Sequence, residues 1–446
     1  MFKKLFERKK LYKNCKSSYS GWLIFTNVVF CICWFHIFAC AQVQLEVSKE
    51  YGKKISVAIS DFNSSAGTVS NSSSIIHKIL RFDLDHSGFF QVVPEKICRQ
   101  LSRKTSKPDI KLWKSTGAAL LVTGGINQTG NQVELEGYIY DLQGGGTVFA
   151  KKYTGSASRA RRLAHAFAED ILYRITGEHG YFLARIAYTR EINGVKEIVV
   201  SDSDGGSPVP VTSDRSIAMI PEWSPVKQQL IYTSYRTGYP RLYIHDVEKG
   251  KRWSLPSYPG LNAAASISPN GNEIAMVLSK DGNPEIYVCD FKGKNLRRIT
   301  KTKAVESSPC WSPDGKSIVF VSNRGGAPKL YIINSDGSGM RRIPSSGRHN
   351  TDPDWSPKGN MIVYCSRSGV KSAIMLINLN NGENRMLTDF SGTAEDPSWA
   401  SDGRHIVFTK KVGREMKLFL MDTLDGSSVQ ISGGKGNHVN PSFSVN

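Results

Sequence analysis

Short runs of hydrophobic residues, separated by polar turn sequences, fill the C-terminal part of the chain. Within residues 309–352, β-branched and aromatic residues cluster at 317–321 and 329–333, and the turn Ser312-Pro-Asp-Gly315 precedes the first of these runs. Val, Ile, Phe and Tyr favour strands, whereas Pro, Asp and Gly favour β-turns. Because apolar residues show no helical spacing here, the pattern predicts a unit of four short strands.

This four-strand unit recurs at a step of 44 residues. The aromatic or aliphatic residue that precedes each first turn follows that step: Trp223, Ile267, Trp311, Trp355, Trp399 and Phe443. Four strands in about 40–45 residues are typical of one blade of a β-propeller, and residues 182–446 accommodate six such units. Residues 441–446 supply the strand start that the first unit lacks, which predicts a closed six-bladed ring. A β-helix or solenoid would need dedicated caps instead.

Residues 42–178 do not repeat, and they predict a small α+β domain. Strands are expected at 54–60, 89–93, 118–123, 133–140 and 147–150, and short helices at 71–84 and 109–113. A last, amphipathic helix is predicted by four apolar residues at a spacing of four and by a glycine that ends it: Leu163, Phe167, Ile171, Ile175 and Gly177. The fold class is therefore an α+β N-terminal domain followed by an all-β propeller over residues 179–446.

The first 41 residues predict an export signal. A basic segment precedes an apolar stretch from Trp22 to Ala41, which ends in Ala39-Cys40-Ala41. A basic region, an apolar core and a small-x-small site are typical of a secretory signal peptide, so cleavage is expected between Ala41 and Gln42. Two alternatives stay open, an uncleaved signal anchor and a lipoprotein attached through Cys40.

The chain carries 58 Lys and Arg against 39 Asp and Glu, a formal net charge of +19. Such an excess is typical of nucleic-acid-binding proteins. Part of it lies in the leader, however, and basic residues recur near the 44-residue step on the predicted last strands: Arg297, Arg298, Arg341, Arg342 and Arg385. They are thus spread around the rim, where charged edges discourage strand pairing. A groove that binds nucleic acid would combine basic residues with aromatic residues on one face. Because the basic residues are instead distributed around the ring, we expect no nucleic acid partner.

The sequence lacks the motifs of common catalytic and cofactor sites, including Gly-x-Ser-x-Gly, His-Glu-x-x-His and the glycine-rich phosphate loops. Asp202-Ser-Asp204-Gly-Gly206 resembles a calcium loop without its Glu, and His349 and His438 occupy equivalent loops without further ligands. The four cysteines outside the leader show no zinc spacing and are interpreted as buried small hydrophobes. We expect no catalytic residue, no cofactor and no metal. An exported propeller hydrolase or lyase and a scaffold for an unrelated ligand stay open as alternatives.

The loops that join the fourth strand of one unit to the first strand of the next differ from one another, although the strands agree. They include segments 260–265, 305–309, 349–353, 393–397 and 438–441. Variable loops on a constant scaffold are typical of a binding face. The sequence therefore favours a ring that binds another protein through this face.

Several motifs make the chain similar to the TolB family, the periplasmic propeller proteins of the Tol–Pal system. The blade sequence Trp311-Ser-Pro-Asp-Gly315 is shared with other propellers. More specific are Ser56-Val-Ala-Ile-Ser-Asp-Phe62, the segment from Trp113 to Gly124, and the join from Ile175 to Tyr188. The resemblance covers essentially the whole chain after the leader. It implies a non-enzymatic periplasmic protein that maintains outer-membrane integrity and supports cell division.

The resemblance also implies two binding partners and the residues that contact each of them. A Pal-like lipoprotein is expected at the channel mouth of the propeller, with contacts from eight residues: Leu261, Ala264, Ser307, Ser308, Thr351, Asp352, Glu395 and Asp396. A TolA-like inner-membrane protein is expected to bind the N-terminal segment 42–51, where Val43, Leu45 and Val47 alternate as strand addition to a sheet edge requires. Other outer-membrane proteins are further candidate partners, and the chain itself is expected to be a monomer.

Overall fold

A computed structural model describes residues 54–64, 71–102 and 109–445. It shows the predicted fold class, an N-terminal domain with helices and a mixed sheet, followed by a six-bladed β-propeller. Within these ranges, no helix has both the length and the apolar character that crossing a bilayer demands.

The N-terminal domain contains one mixed sheet and four α-helices among the described residues. Its strands are β1 Ile55–Ile59, β2 Asn63–Ser64, β3 Phe90–Val92, β4 Leu120–Thr129, β5 Gln132–Asp141 and β6 Thr147–Ser156. Its helices are α1 Asn71–Asp85, α2 Glu95–Ser102, α3 Ile110–Lys114 and α4 Ala160–Thr176, the last preceded by a 3-10 turn at Ala157–Arg159. The strand order is β3-β1-β4-β5-β6, and β2 pairs with β4. Because β1 runs parallel to both β3 and β4, helices must connect these strands.

Local sequence explains the helix that leads into the propeller. Phe167, Ile171 and Ile175 of α4 are buried against the sheet, as the spacing of four predicts. Gly177 ends the helix in the left-handed conformation (φ 74°), and its N–H donates to the carbonyl of Tyr173 at 2.8 Å. The sequence prediction omitted α2, where only Cys98 and Leu101 are buried.

The propeller consists of six four-stranded antiparallel sheets in the described chain. Its strands are β7 Arg185–Ile192, β8 Val195–Asp202, β9 Val209–Pro210, β10 Ala218–Trp223, β11 Gln229–Ser234, β12 Arg241–Asp246, β13 Lys251–Ser254, β14 Asn262–Ile267, β15 Glu273–Leu278, β16 Glu285–Asp290, β17 Arg297–Arg298, β18 Glu306–Trp311, β19 Ser317–Ser322, β20 Lys329–Asn334, β21 Arg341–Arg342, β22 His349–Trp355, β23 Met361–Ser368, β24 Lys371–Asn378, β25 Asn384–Met386, β26 Ala394–Trp399, β27 His405–Val412, β28 Glu415–Asp422, β29 Ser428–Gln430 and β30 Asn437–Phe443. Blades 2 to 6 each take four consecutive strands, from β10 to β29.

Blade 1 combines both ends of the propeller sequence. Strand β30 pairs with β7, so the sheet has the order β30-β7-β8-β9. Beyond the strand, the N–H of Ser444 donates to the carbonyl of Arg185 at 2.8 Å. The inner strands β30, β10, β14, β18, β22 and β26 contact one another in that cyclic order.

The repeated turn between the first two strands of a blade has a defined chemistry. In blade 4, the hydroxyl of Ser312 donates to Asp314 at 2.6 Å and accepts the N–H of Ser317 at 2.9 Å, while Gly315 takes φ 69°. The indole N–H of Trp311 reaches the carbonyl of Ser266 in blade 3 at 3.2 Å. The Trp-Ser-Pro-Asp-Gly motif therefore closes the turn and also joins neighbouring blades.

Polar contacts connect the N-terminal domain to blades 6 and 1. The guanidinium of Arg404 donates to the carbonyl of Gly88 at 2.8 Å, and the ammonium of Lys54 pairs with Asp425 at 3.0 Å. The buried hydroxyl of Tyr181 donates to the carbonyl of His86 at 3.0 Å. These contacts lie at the turn ends of the blades, opposite the loops that join one blade to the next.

Candidate functional site

Every inner strand of the propeller contains a β-bulge at the same place. The pairing with the second strand shifts register between six pairs of residues: Met219/Glu222, Ala263/Ser266, Ser307/Cys310, Thr351/Asp354, Glu395/Ser398 and Val439/Ser442. The first bulged residue of each strand is left-handed, with φ between 49° and 55°: Ile220, Ala264, Ser308, Asp352, Asp396 and Asn440. These bulges turn the strand ends towards one central channel.

The bulges line a cavity of about 140 Å³. Each inner strand contributes its left-handed residue and the Pro or Ala that follows it to the wall of the cavity. In five of the six blades, the next residue along the strand also lines the cavity. Four carboxylates face it, those of Glu222, Asp352, Asp354 and Asp396, together with the thiol of Cys310. No Lys, Arg or His is among the described residues that line it. The cavity is therefore strongly acidic.

In four of the six blades, the residue after the proline accepts a hydrogen bond from the next blade. The N–H of Trp355 donates to the sulfur of Cys310 at 3.4 Å, and the N–H of Trp399 donates to the carboxylate of Asp354 at 2.6 Å. The same bond joins Phe443 to the hydroxyl of Ser398 (3.3 Å) and Trp223 to the hydroxyl of Ser442 (3.2 Å). These bonds satisfy strand N–H groups that face the neighbouring blade.

Enclosure by six strands shifts the acid–base equilibria of the channel carboxylates. Burial, followed by the negative charge of Asp354, raises the pKa of Glu222 to about 8. Burial raises the pKa of Asp354 to about 6, although the N–H of Trp399 opposes the shift. Burial and the charge of Asp352 raise the pKa of Asp396 to about 7. Part of this cluster therefore keeps its protons near neutral pH.

Four of the eight mouth residues expected from the sequence line this cavity: Ala264, Ser308, Asp352 and Asp396. The other four are not among the residues that line it and have other contacts. Thr351 donates its hydroxyl to Asp352 at 2.8 Å, and Glu395 pairs with Arg367 at 2.9 Å. Ser307 pairs with Val321 in the sheet of blade 4, and Leu261 packs against the core between blades 3 and 4.

Sequence reasoning missed other cavity residues. Ile220 and Asn440 complete the series of left-handed positions, and counting 44 residues back from Ala264 and forward from Asp396 would have found both. Glu222 and Asp354 lie two residues beyond the left-handed position, where strand alternation alone does not reveal the effect of the bulge. The residues expected to bind a TolA-like partner, Val43, Leu45 and Val47, lie outside the described residues, as does the cleavage site at Ala41 and Gln42.

Some basic residues of the outer strands pair with carboxylates of the propeller, and others are exposed. Arg298 pairs with the fully buried carboxylate of Glu285 at 3.1 Å, and Arg297 pairs with Glu273 at 2.8 Å. Arg341 and Arg342 are exposed on β21. These residues occupy outermost strands in different blades, as the sequence predicts for a charged rim.

Two family models match the chain. The model described as the TolB amino-terminal domain matches residues 43–148, and the model described as the TolB beta propeller domain matches residues 172–446. A curated relative, the Tol-Pal system protein TolB of Roseobacter denitrificans, is 31% identical over 225 residues, which cover 49% of this chain and 51% of the relative. The chain thus spans about half the length of this curated relative. The crystal structure of TolB from Acinetobacter baumannii is similar over 88% of this chain and 97% of its own, with a TM-score of 0.77 and 27% identity.

Proposed function

The chain belongs to the TolB family, and from this premise we propose that it is a non-enzymatic, protein-binding component of the Tol–Pal system in the periplasm. In this role it connects a Pal-like lipoprotein of the outer membrane with a TolA-like protein of the inner membrane. The connection supports outer-membrane integrity and cell division. The Pal-like partner binds at the channel mouth, and the TolA-like partner binds segment 42–51.

The observation that carries this proposal is the ring of six left-handed residues at the mouth. Blades 2 and 3 present the apolar side chains of Ile220 and Ala264 there, whereas the next four blades present polar ones: Ser308, Asp352, Asp396 and Asn440. The ring is thus divided into an apolar and a polar arc. A protein loop with one apolar side and hydrogen-bond donors on the other side is complementary to it.

The size of the cavity supports a protein partner over a small substrate. Pockets for small molecules usually measure about 300–1,000 Å³, and this cavity measures about 140 Å³. A partner would therefore cover the mouth and insert only a few side chains. Two carboxylates of the cavity also have structural bonds, since Asp354 accepts the N–H of Trp399 and Asp396 accepts the N–H of Asn440 at 3.0 Å. Such bonds favour a scaffold role over acid–base catalysis.

The test is calorimetric titration of the purified protein with the soluble domain of the Pal-like lipoprotein from the same organism. Ala264→Arg places a bulky cation in the apolar arc and should abolish binding. Lys316→Glu changes an exposed residue in the turn at the opposite end of blade 4 and should leave the affinity unchanged. Absence of binding by the folded wild-type protein, or equal binding by both variants, would overturn the proposal for the mouth.

The second partner is tested separately. Replacement of Val43, Leu45 and Val47 by Ser removes the apolar alternation on which strand addition depends. This variant should lose binding to the soluble domain of the TolA-like protein and keep binding to the Pal-like domain. If it still binds the TolA-like domain as the wild type does, segment 42–51 is not the TolA-binding element.

A further inference from the structure

Three potential metal ligands meet where helix α4 contacts blade 1. His165 comes from α4, and Asp202 and Asp204 come from the turn that follows β8. One ligand atom of each residue lies within 4.8 Å of the other two. Two ligands bound at about 2.0–2.1 Å to one zinc ion lie roughly 3–4 Å apart, so small side-chain adjustments would bring all three onto one ion.

The imidazole of His165 has the environment of a metal ligand. Its side chain is 3% exposed, and Nδ1 lies 2.7 Å from the carboxylate of Asp83, which is 1% exposed. The other ring nitrogen, Nε2, has no hydrogen-bond partner and lies 4.0 Å from Oδ1 of Asp204. A carboxylate on one imidazole nitrogen fixes the tautomer that leaves a lone pair on the other nitrogen, as is usual for histidines that bind zinc. The free nitrogen faces the two aspartates.

The turn that carries the aspartates is held in one conformation by close contacts. The N–H of Gly205 donates to the carbonyl of Asp202 at 2.9 Å, and Gly205 takes φ 78°. A Cβ atom on Gly205 would lie 1.8 Å from the carbonyl oxygen of Ile431, so only glycine fits there. The hydroxyl of the buried Ser203 anchors the turn to the carbonyl of Phe182 at 2.8 Å. The two carboxylates are therefore presented by a rigid element.

The cluster carries an excess of negative charge that a divalent cation would neutralise. Asp83, Asp202 and Asp204 contribute three negative charges when ionised, and Arg161 contributes one positive charge. Arg161 donates to Oδ2 of Asp202 at 2.6 Å and to Oδ1 of Asp204, so the second oxygen of each carboxylate receives no bond from it. These four groups sum to −2 when all are ionised. Uncompensated charge is costly in a partly buried site.

We propose that His165, Asp202 and Asp204 bind one Zn²⁺ ion at the contact between the N-terminal domain and blade 1. One imidazole and two carboxylates match the nitrogen and oxygen ligands that zinc accepts. Asp83 supports the histidine, and Arg161 stays beside the ion as a partner of the carboxylates. Because the ligands come from both domains, the ion fixes the position of α4 against blade 1. This site is independent of the channel mouth and of the proposed partners.

The test is zinc stoichiometry of the tag-free protein after chelator treatment and dialysis against Zn²⁺, measured by elemental mass spectrometry. The wild type should retain one equivalent of zinc, and zinc should raise its Tm. His165→Gln and Asp204→Asn should each lose the equivalent and the rise in Tm. Melting of the metal-free variants shows whether each is folded, and either folded variant is sufficient for the test.

The matched control is Asp290→Asn. Asp290 has the position of Asp202 two repeats later, and its carboxylate accepts the N–H groups of Lys292 and Lys294 (2.9 and 2.8 Å) in its own turn. This variant should bind zinc as the wild type does. Arg161→Gln should also retain zinc and show a larger rise in Tm, because the competing cation is gone. No zinc on the wild type, or full zinc on both His165→Gln and Asp204→Asn, would overturn the proposal.

Discussion

The carboxylate of Asp354 in blade 5 accepts a hydrogen bond of 2.6 Å from the backbone N–H of Trp399 in blade 6. In three other blades the same position is occupied by a thiol or a hydroxyl that accepts the corresponding N–H: Cys310, Ser398 and Ser442. The sequence repeat therefore has a second consequence beyond forming identical blades. At four of the six junctions between blades it places an acceptor where the neighbouring inner strand has an N–H that its own sheet leaves free.

Asp354→Ala should destabilise the propeller by about 2 kcal/mol, because it leaves the enclosed N–H of Trp399 without a partner. The free energy of unfolding is measured by urea titration. Asp389→Ala is the control, since Asp389 is exposed and bonds within its own loop, to Ser391. Equal stability of the two variants would show that the bond between blades 5 and 6 contributes little.

Ile220→Asn should raise the free energy of unfolding by about 1 kcal/mol. Ile220 has φ 55°, a conformation that is unfavourable for a β-branched residue, whereas Asn tolerates it and already occupies the equivalent position at Asn440. Thermal or urea unfolding measures the gain. The control is Ile192→Asn, because this exposed isoleucine lies in an ordinary strand and should show no gain. A loss of stability in Ile220→Asn would mean that its apolar contacts outweigh the backbone strain.

Glu222→Gln should change how stability depends on pH. The pKa of Glu222 is raised to about 8 from an ordinary value of 4.5. Between these values the folded state holds a proton that the unfolded state has released, so stability falls as the pH rises through this window. Gln does not titrate, so the stability of Glu222→Gln should not fall in this pH window for this reason. It should match the wild type near pH 5 and exceed it by at least about 1 kcal/mol above pH 8.

Urea titrations at both pH values measure this difference. Glu383→Gln is the control, because Glu383 is exposed, and it should follow the wild type at both pH values. A gap between Glu222→Gln and the wild type that does not change with pH would contradict the prediction. It would indicate that Glu222 is already ionised in the folded protein at low pH.

Much of the fold could be predicted because one set of residues is used six times. Trp311 and Trp399 mark the same strand end in two blades, so a single pattern locates every blade. The N-terminal domain has no such repetition, and α2 was omitted because only Cys98 and Leu101 of its eight residues are buried. Its other elements follow from local apolar spacing.

The candidate sites were predictable only in part, for geometric reasons. The positions of Ala264 and Asp396 follow from the repeat. The inward orientation of Glu222 depends on a bulge, and a bulge inserts one residue into the alternation by which faces are assigned. The meeting of His165 with Asp204 depends on the packing of one domain on another, and no local pattern encodes it. Sites built from distant segments therefore need the structure.

Deletion of residues 437–446 should prevent formation of a stable monomeric propeller. It removes β30, the inner strand of blade 1, and leaves the edge of β7 unpaired between blades 6 and 2. An exposed edge with free N–H and carbonyl groups promotes association between chains. Size-exclusion chromatography should show oligomers or aggregates, and thermal unfolding should lose cooperativity.

Deletion of residues 445 and 446 alone keeps β30 and should leave a monomer with wild-type stability. If the longer deletion still gives a cooperative monomer, blade 1 is stable with three strands.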